Sequence, residues 1–206
     1  MDFDLRTSVG PQGVANGGRP LIRGDILGGQ HVSDLLPKHF ELVRNGMVFG
    51  ALAQTVTAPV IWTTAAGSGG PFIYNGTNDK NLVPLAFGLS DIIVSTVAGS
   101  VGLATGVTTA PTAVTAADAR WNLLTGGAAS SATPYRIATP SAAATSFLPL
   151  IEIGTGALTV SNQGLIFFPI EGMCVIAPGG FMTLAGSATL TTLQYHATII
   201  WAELPR

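Results

Sequence analysis

From residue 39 onward, short apolar or alternating runs are punctuated by Gly, Pro and Asn, the pattern of many strands rather than of helices. Ten runs qualify: 39–43 (HFELV), 47–56 (MVFGALAQTV), 60–64 (VIWTT), 81–89 (NLVPLAFGL), 92–97 (IIVSTV), 147–153 (FLPLIEI), 165–170 (LIFFPI), 174–177 (CVIA), 181–185 (FMTLA) and 193–203 (LQYHATIIWAE). The last alternates most clearly. Leu193, Tyr195, Ala197, Ile199 and Trp201 share one face, and Gln194, His196 and Thr198 share the other. Because successive side chains of a strand point to opposite sides, this predicts a half-buried strand. The Pro178-Gly179-Gly180 run predicts a type II hairpin turn between two strands, since Pro presets φ at the second position and Gly accepts positive φ at the third.

Residues 98–146 are rich in Ala, Ser, Thr and Gly with little periodicity, and read as long loops or small-residue strands. Within them, 115–124 suggests a short helix: Thr115 followed by Asp118 resembles a capping box, and Gly126 could close it. The run Gly67-Ser68-Gly69-Gly70-Pro71 echoes the nucleophile loop of chymotrypsin-like proteases, but Gly67 stands where Asp belongs, and a flexible loop is the simpler reading. Together these elements predict an all-β fold, an antiparallel, jelly-roll-like β-sandwich over residues 39–206.

Residues 1–38 differ in composition. They hold eight charges and seven glycines, with prolines at 11, 20 and 37, whereas the following 168 residues hold twelve charges. Such a segment is read as an extended N-terminal arm, because Pro and paired Gly argue against a continuous helix or central strand. Its apolar Leu21, Ile22, Ile26 and Leu27 suit docking on a partner, with Arg19, Arg23 and Asp25 setting the register.

Charged residues make up only 10% of the chain, against roughly 25% in an average soluble domain. A folded chain of this mass exposes on the order of 9,000 Å², so small polar residues must form much of its surface. Surface destined for protein contact is depleted in Lys, Glu and Asp, and a symmetric homo-oligomer, a trimer, is the expected state. A net charge of −2 leaves no basic stripe for nucleic acid. The apolar runs fall short of the ~18 residues a spanning helix needs, so no membrane partner is expected. The start, MDFDLRT, has no basic n-region followed by an apolar stretch, and synthesis in a cytoplasm is expected.

Candidate chemistry is sparse. His31, His39 and His196 fall at no metal-ligand spacing, and Cys174 has no second Cys and reads as a buried small hydrophobe. Glu152, Glu171 and Glu203 could form a glycosidase pair only if folding brought two together. Asn75-Gly76-Thr77 matches a glycosylation sequon but reads as a turn, and Trp62, Trp121 and Trp201 read as packing residues before sugar platforms. No catalytic residue, metal ligand or cofactor is nominated, and the chain is not expected to be an enzyme.

Four segments carry a resemblance: 39–54 (HFELVRNGMVFGALAQ), 81–106 (NLVPLAFGLSDIIVSTVAGSVGLATG), the 172–180 run ending in PGG, and the closing W-x-E-x-P from Trp201 to Pro205. In these the chain resembles small virion proteins of tailed bacteriophages. The resemblance implies a β-sandwich virion component, a trimeric decoration (cement) protein seated on the major capsid protein or other virion proteins, and it supplies no catalytic residues. The alternative is a tail or fibre head that binds a host surface glycan; a virion glycosidase or protease comes third.

Overall fold

A computed structural model describes residues 39–57, 59, 61–65, 68–93, 95, 97–153, 166–188, 190 and 193–206. Glu41–Arg206 makes one compact unit. The expected arm over 1–38, with Arg19, Leu21, Ile22, Arg23, Asp25, Ile26 and Leu27, lies outside the described residues.

Among the described residues one short helix, α1 (Phe40–Arg44), precedes eleven strands. These are β1 (Val48–Thr57), β2 (Ser68–Tyr74), β3 (Lys80–Ile93), β4 (Gly99–Val107), β5 (Thr112–Ala116), β6 (Ala119–Asn122), β7 (Thr133–Thr139), β8 (Ser146–Ile153), β9 (Ile166–Pro169), β10 (Gly180–Gly186) and β11 (Gln194–Pro205). They form two antiparallel sheets, ordered β6-β1-β11-β3-β9 and β5-β7-β2-β10-β4-β8. Set aside β5, β6 and β7, and the remaining orders, β1-β11-β3-β9 against β2-β10-β4-β8, are those of an eight-stranded jelly roll. The three extra strands lie between β4 and β8 in sequence. β6 widens the first sheet beside β1, while β7 and β5 widen the second beside β2.

The main core lies between the sheets and includes Trp201, Phe87, Leu82, Ile73, Met182, Leu184 and Ile199, all fully buried. The alternation expected in β11 is present: Leu193, Tyr195, Ala197, Ile199 and Trp201 are buried, and Gln194, His196 and Thr198 are half-buried. Two smaller apolar clusters stand apart from that core. Leu42 and Val43 of α1 pack against Val48, Leu85 and Ala202, while Phe72 stacks on Phe181 at 4.9 Å between centroids. Every residue of β10 is therefore buried.

Several elements differ from the sequence expectation. Residues 39–43 begin a helix, not a strand. Gly46 at φ +68° takes the left-handed position just past it, with Gly46 N–H donating to Val43 O (2.9 Å) and Met47 N–H to Leu42 O (2.9 Å). That pair of bonds is a Schellman motif, and it satisfies carbonyls that the helix end would leave open. Residues 115–124 form no helix. Asp118 does not cap one: it accepts Gln54 N–H at 2.7 Å and pairs with Arg136 at 3.2 Å, and Ala119–Asn122 ladder with β1.

Ser68–Tyr74 is a strand rather than a loop, because β7 and β10 flank it on both sides. The register shifts between Gly69 and Phe72, so Pro71, which has no N–H to donate, falls in the irregular stretch. The two strands expected at 81–89 and 92–97 are one, β3, as far as Ile93, since β11 offers it a continuous partner. A bulge at Leu85 beside Pro84 accommodates the proline. Of the strand expected at 60–64 the described residues, 61–64, do not form one, nor do residues 174–177; each stretch contributes an isolated bridge, Ile61 to Gly186 and Ile176 to Leu82.

The Pro178-Gly179 turn is present, with Gly179 at φ +77° and Gly180 N–H donating to Ala177 O at 2.9 Å. It is a corner, not a hairpin: Ile176 bridges to the first sheet while β10 belongs to the second. Asn75 holds it in place by exchanging backbone bonds with Gly179 and Gly180. Asn75 is itself fully buried, its side-chain amide donating to Lys80 O and Ile176 O and its oxygen accepting from Thr77, which makes the sequon a closed turn.

Candidate functional site

Among the described residues, those weighed for chemistry are not brought together into an acid–base pair; His31 lies outside them. Glu203, on β11, is 3% exposed and wholly engaged. Its carboxylate accepts from Ser130 Oγ (2.5 Å), Ser131 N–H (3.0 Å), Ala132 N–H (3.2 Å), Lys80 Nζ (3.1 Å) and Ser131 Oγ. Burial alone would raise this carboxyl, but the bonds from Ser130, Ser131, Ala132 and Lys80 outweigh it and hold it below the ordinary carboxylate value. Glu152 lies exposed on β8 of the other sheet, and Glu171 is exposed in the turn after β9. His39 lies in the turn before α1, and His196 is half-buried on β11.

Cys174 is half-buried rather than fully buried and packs against the main core; burial pushes its thiol up, away from the reactive thiolate. Among the described residues no group of His, Cys, Asp and Glu could hold a metal ion. No helix of the described residues is long and apolar enough to cross a membrane.

What the fold does bring to the surface is apolar. The edge strands of the two sheets are β6 and β9, β5 and β8, and each carries one exposed large apolar side chain: Trp121, Phe167, Val114 and Leu148. Only Arg120 on β6 and Glu152 on β8 put a charge on these four strands. Proteins that stay apart usually guard open edges with charge. Next to β9, Met173 (75% exposed) and Val175 (56%) extend the apolar surface, and Val175 and Val107 rim a groove beside the Pro178 corner. Among the described residues, three ion pairs, Glu41–Arg44, Lys80–Glu203 and Asp118–Arg136, take up six of the twelve charged residues beyond residue 38.

A cleft of about 260 Å³ opens beside β6, lined by Gly50, Arg120, Trp121, Asn122, Trp201 and the small-residue loop 127–130. Trp121, 40% exposed, rests on Gly50, where an added Cβ would fall 2.5 Å from indole Cε2. Asn122 braces the loop, donating to Gly46 O (3.0 Å) and Ala128 O (2.8 Å). Trp201 reaches the cleft from the core, and its buried indole N–H has no acceptor among the described residues. Neither Gly50 nor Ser130 stood out in the sequence, because their roles come from contacts across 71 and 73 positions, to Trp121 and Glu203.

No family model, curated protein or solved structure matches the chain. Its class rests on strand order: an antiparallel jelly-roll sandwich with inserted strands.

Proposed function

We propose that the chain is a structural subunit of a large assembly, a decoration or stabilising subunit on the head of a tailed phage. The observation that carries this is the set of four sheet edges, each with an exposed apolar residue and only two charges among them. Edges in that state favour contact between copies or with a shell beneath, because burying their apolar side chains gains about 25 cal/mol per Å² and desolvates few charges. The jelly roll is an architecture of viral capsid domains, although lectins and cupins share it, so the edges carry more weight than the fold.

In this reading the subunit forms a homotrimer, and the segment before residue 39, with Arg19, Leu21, Ile22, Arg23, Asp25, Ile26 and Leu27, anchors it to the major capsid protein. Imaging of phage particles labelled with an antibody against the chain is the test. Label at many positions over the head is the expected result. Label confined to the tail, or absent from particles, overturns it.

A further inference from the structure

The two faces of the first sheet differ in what they meet. Phe49, Ala51, Phe87, Ile199 and Trp201 point into the main core, so the alternate residues of the same strands point outward. Strand register sets these in rows that cross all five strands. One row is Trp121, Gly50, Ile200, Ala86 and Pro169, and the next is Ala119, Leu52, Thr198, Gly88 and Phe167. A shorter third row holds His196 and Ser90. None of these residues is Asp, Glu, Lys or Arg, and His196 is the one titratable side chain among them.

Chain covers only one end of this face. There Leu42 and Val43 of α1 pack on Val48 and Ala202, and the charges of that helix, Glu41 and Arg44, pair with each other. Beyond it Trp121, Ala119, Phe167 and Pro169 are exposed, and Leu52, Thr198 and Ile200 are half-buried. The outer face of the second sheet, by contrast, lies under its own chain: Trp62 stacks on Phe147 at 5.9 Å, and Ala144 packs on the Phe72 and Phe181 cluster.

A face that packs on its own copy about a twofold axis sets each residue against the same patch, so a formal charge near the axis meets its like. This face brings no such charges together. A partner with a charged surface would instead lose hydration there and find no opposite charge in return. Five strands about 4.8 Å apart and three rows about 6.8 Å apart span about 24 by 20 Å, so two such faces bury on the order of 1,000 Å², the lower limit for a specific contact.

We infer that the outer face of the first sheet is a contact between two copies of this chain, packed face to face about a twofold axis that passes over Thr198 on the middle strand. This contact is separate from the sheet edges. Edges join subunits side by side, whereas the face doubles whatever unit the edges make, one chain to two or three to six. It stands whether or not the chain belongs to a particle.

Light scattering of the full chain from low to high micromolar concentration tests the inference. An interface at the lower size limit should make the mass depend on concentration, with a twofold rise across the range. Thr198→Lys and Thr198→Asp should each abolish the rise, because like charges then meet at the axis, and mixing the two variants in equal amounts should restore it. Ala119→Lys, at an exposed position on the rim of the face, should move the rise to higher concentration and carries the test if the Thr198 variants do not fold by circular dichroism. Doubling that survives these substitutions overturns the contact. A mixture of folded Lys and Asp variants that does not double overturns the twofold arrangement. A constant wild-type mass of one chain leaves the face to a different protein, and a constant mass of three overturns the face contact while leaving an edge-built trimer standing.

Discussion

Lys80 Nζ lies 3.1 Å from Glu203 Oε2, an ion pair in which Glu203 is buried and Lys80 partly exposed. The two stand at one end of the β3–β11 ladder, where Lys80 is opposite Pro205 and Glu203 opposite Leu82. The same carboxylate gathers Ser130, Ser131 and Ala132, so a single side chain ties the loop before β7 to the central strands of the first sheet.

That arrangement makes stability depend on pH in a stated direction. The folded Glu203 carboxyl sits below its ordinary value, so its contribution is fully present above the unfolded pKa, near 4.5, and is lost as pH falls through the folded value. Glu203→Gln should cost about 1.5–3 kcal/mol at neutral pH, the range for hydrogen bonds to a charged group. Thermal melts of both proteins from neutral to pH 3 should show the gap narrowing below about pH 4.5. A gap that stays constant across the range would contradict the assignment.

Trp201 is fully buried, with its ring 6.0 Å from that of Phe49. Trp201→Ala should therefore cost about 3–5 kcal/mol, the range for deleting a large buried aromatic. Urea denaturation measures it; coincident midpoints for mutant and wild type would mean that the core tolerates the loss.

Gly50 and Trp121 should behave as one unit. Gly50→Ala puts a methyl where the indole lies and should cost about 1–3 kcal/mol by overpacking. Combined with Trp121→Ala, the same substitution should cost much less, because the clash is gone. A double-mutant cycle by thermal denaturation reads this coupling directly, and additive losses would refute it.

The sheet edges can be probed by restoring the missing charge. Phe167→Lys on β9 and Val114→Lys on β5 lie at exposed positions and should change monomer stability by no more than about 0.5 kcal/mol. At least one should lower the mass of the oligomer measured by light scattering. A wild-type chain that is monomeric at micromolar concentration, or an oligomer indifferent to both changes, would remove the edges from the assembly contact.

Deleting residues 1–38 should leave the sandwich folded with nearly unchanged melting, yet weaken attachment to particles lacking the protein. Rebinding of the truncated chain at wild-type affinity would mean that the segment does not anchor it.

Where a segment's own side chains carried the signal, the sequence alone was sufficient. β11 could be read from its period of two, because five large or small apolar residues alternate with polar ones and only a strand with one buried face satisfies that order. The Pro178-Gly179 turn was legible for the same local reason, since φ preferences belong to the residues themselves. Five residues such as 40–44 cannot declare a helical period. Their decisive signal was Gly46, whose left-handed φ closes the Schellman motif.

Tertiary structure decided the rest wherever a strand's identity lay in its neighbours. β2 opens on Ser-Gly-Gly-Pro, β4 carries three glycines among its nine residues and β6 is only four residues long, so none shows a clear period of two and they become strands through backbone bonds to β1, β7, β8 and β10. The Pro178 turn could be foreseen, but not that it crosses from one sheet to the other, because that depends on which partners Ile176 and β10 find. The cleft is the extreme case. Gly50, Arg120, Trp121 and Trp201 meet only because β6, β1 and β11 lie side by side, and a close approach between strands distant in sequence leaves no local mark on any of them.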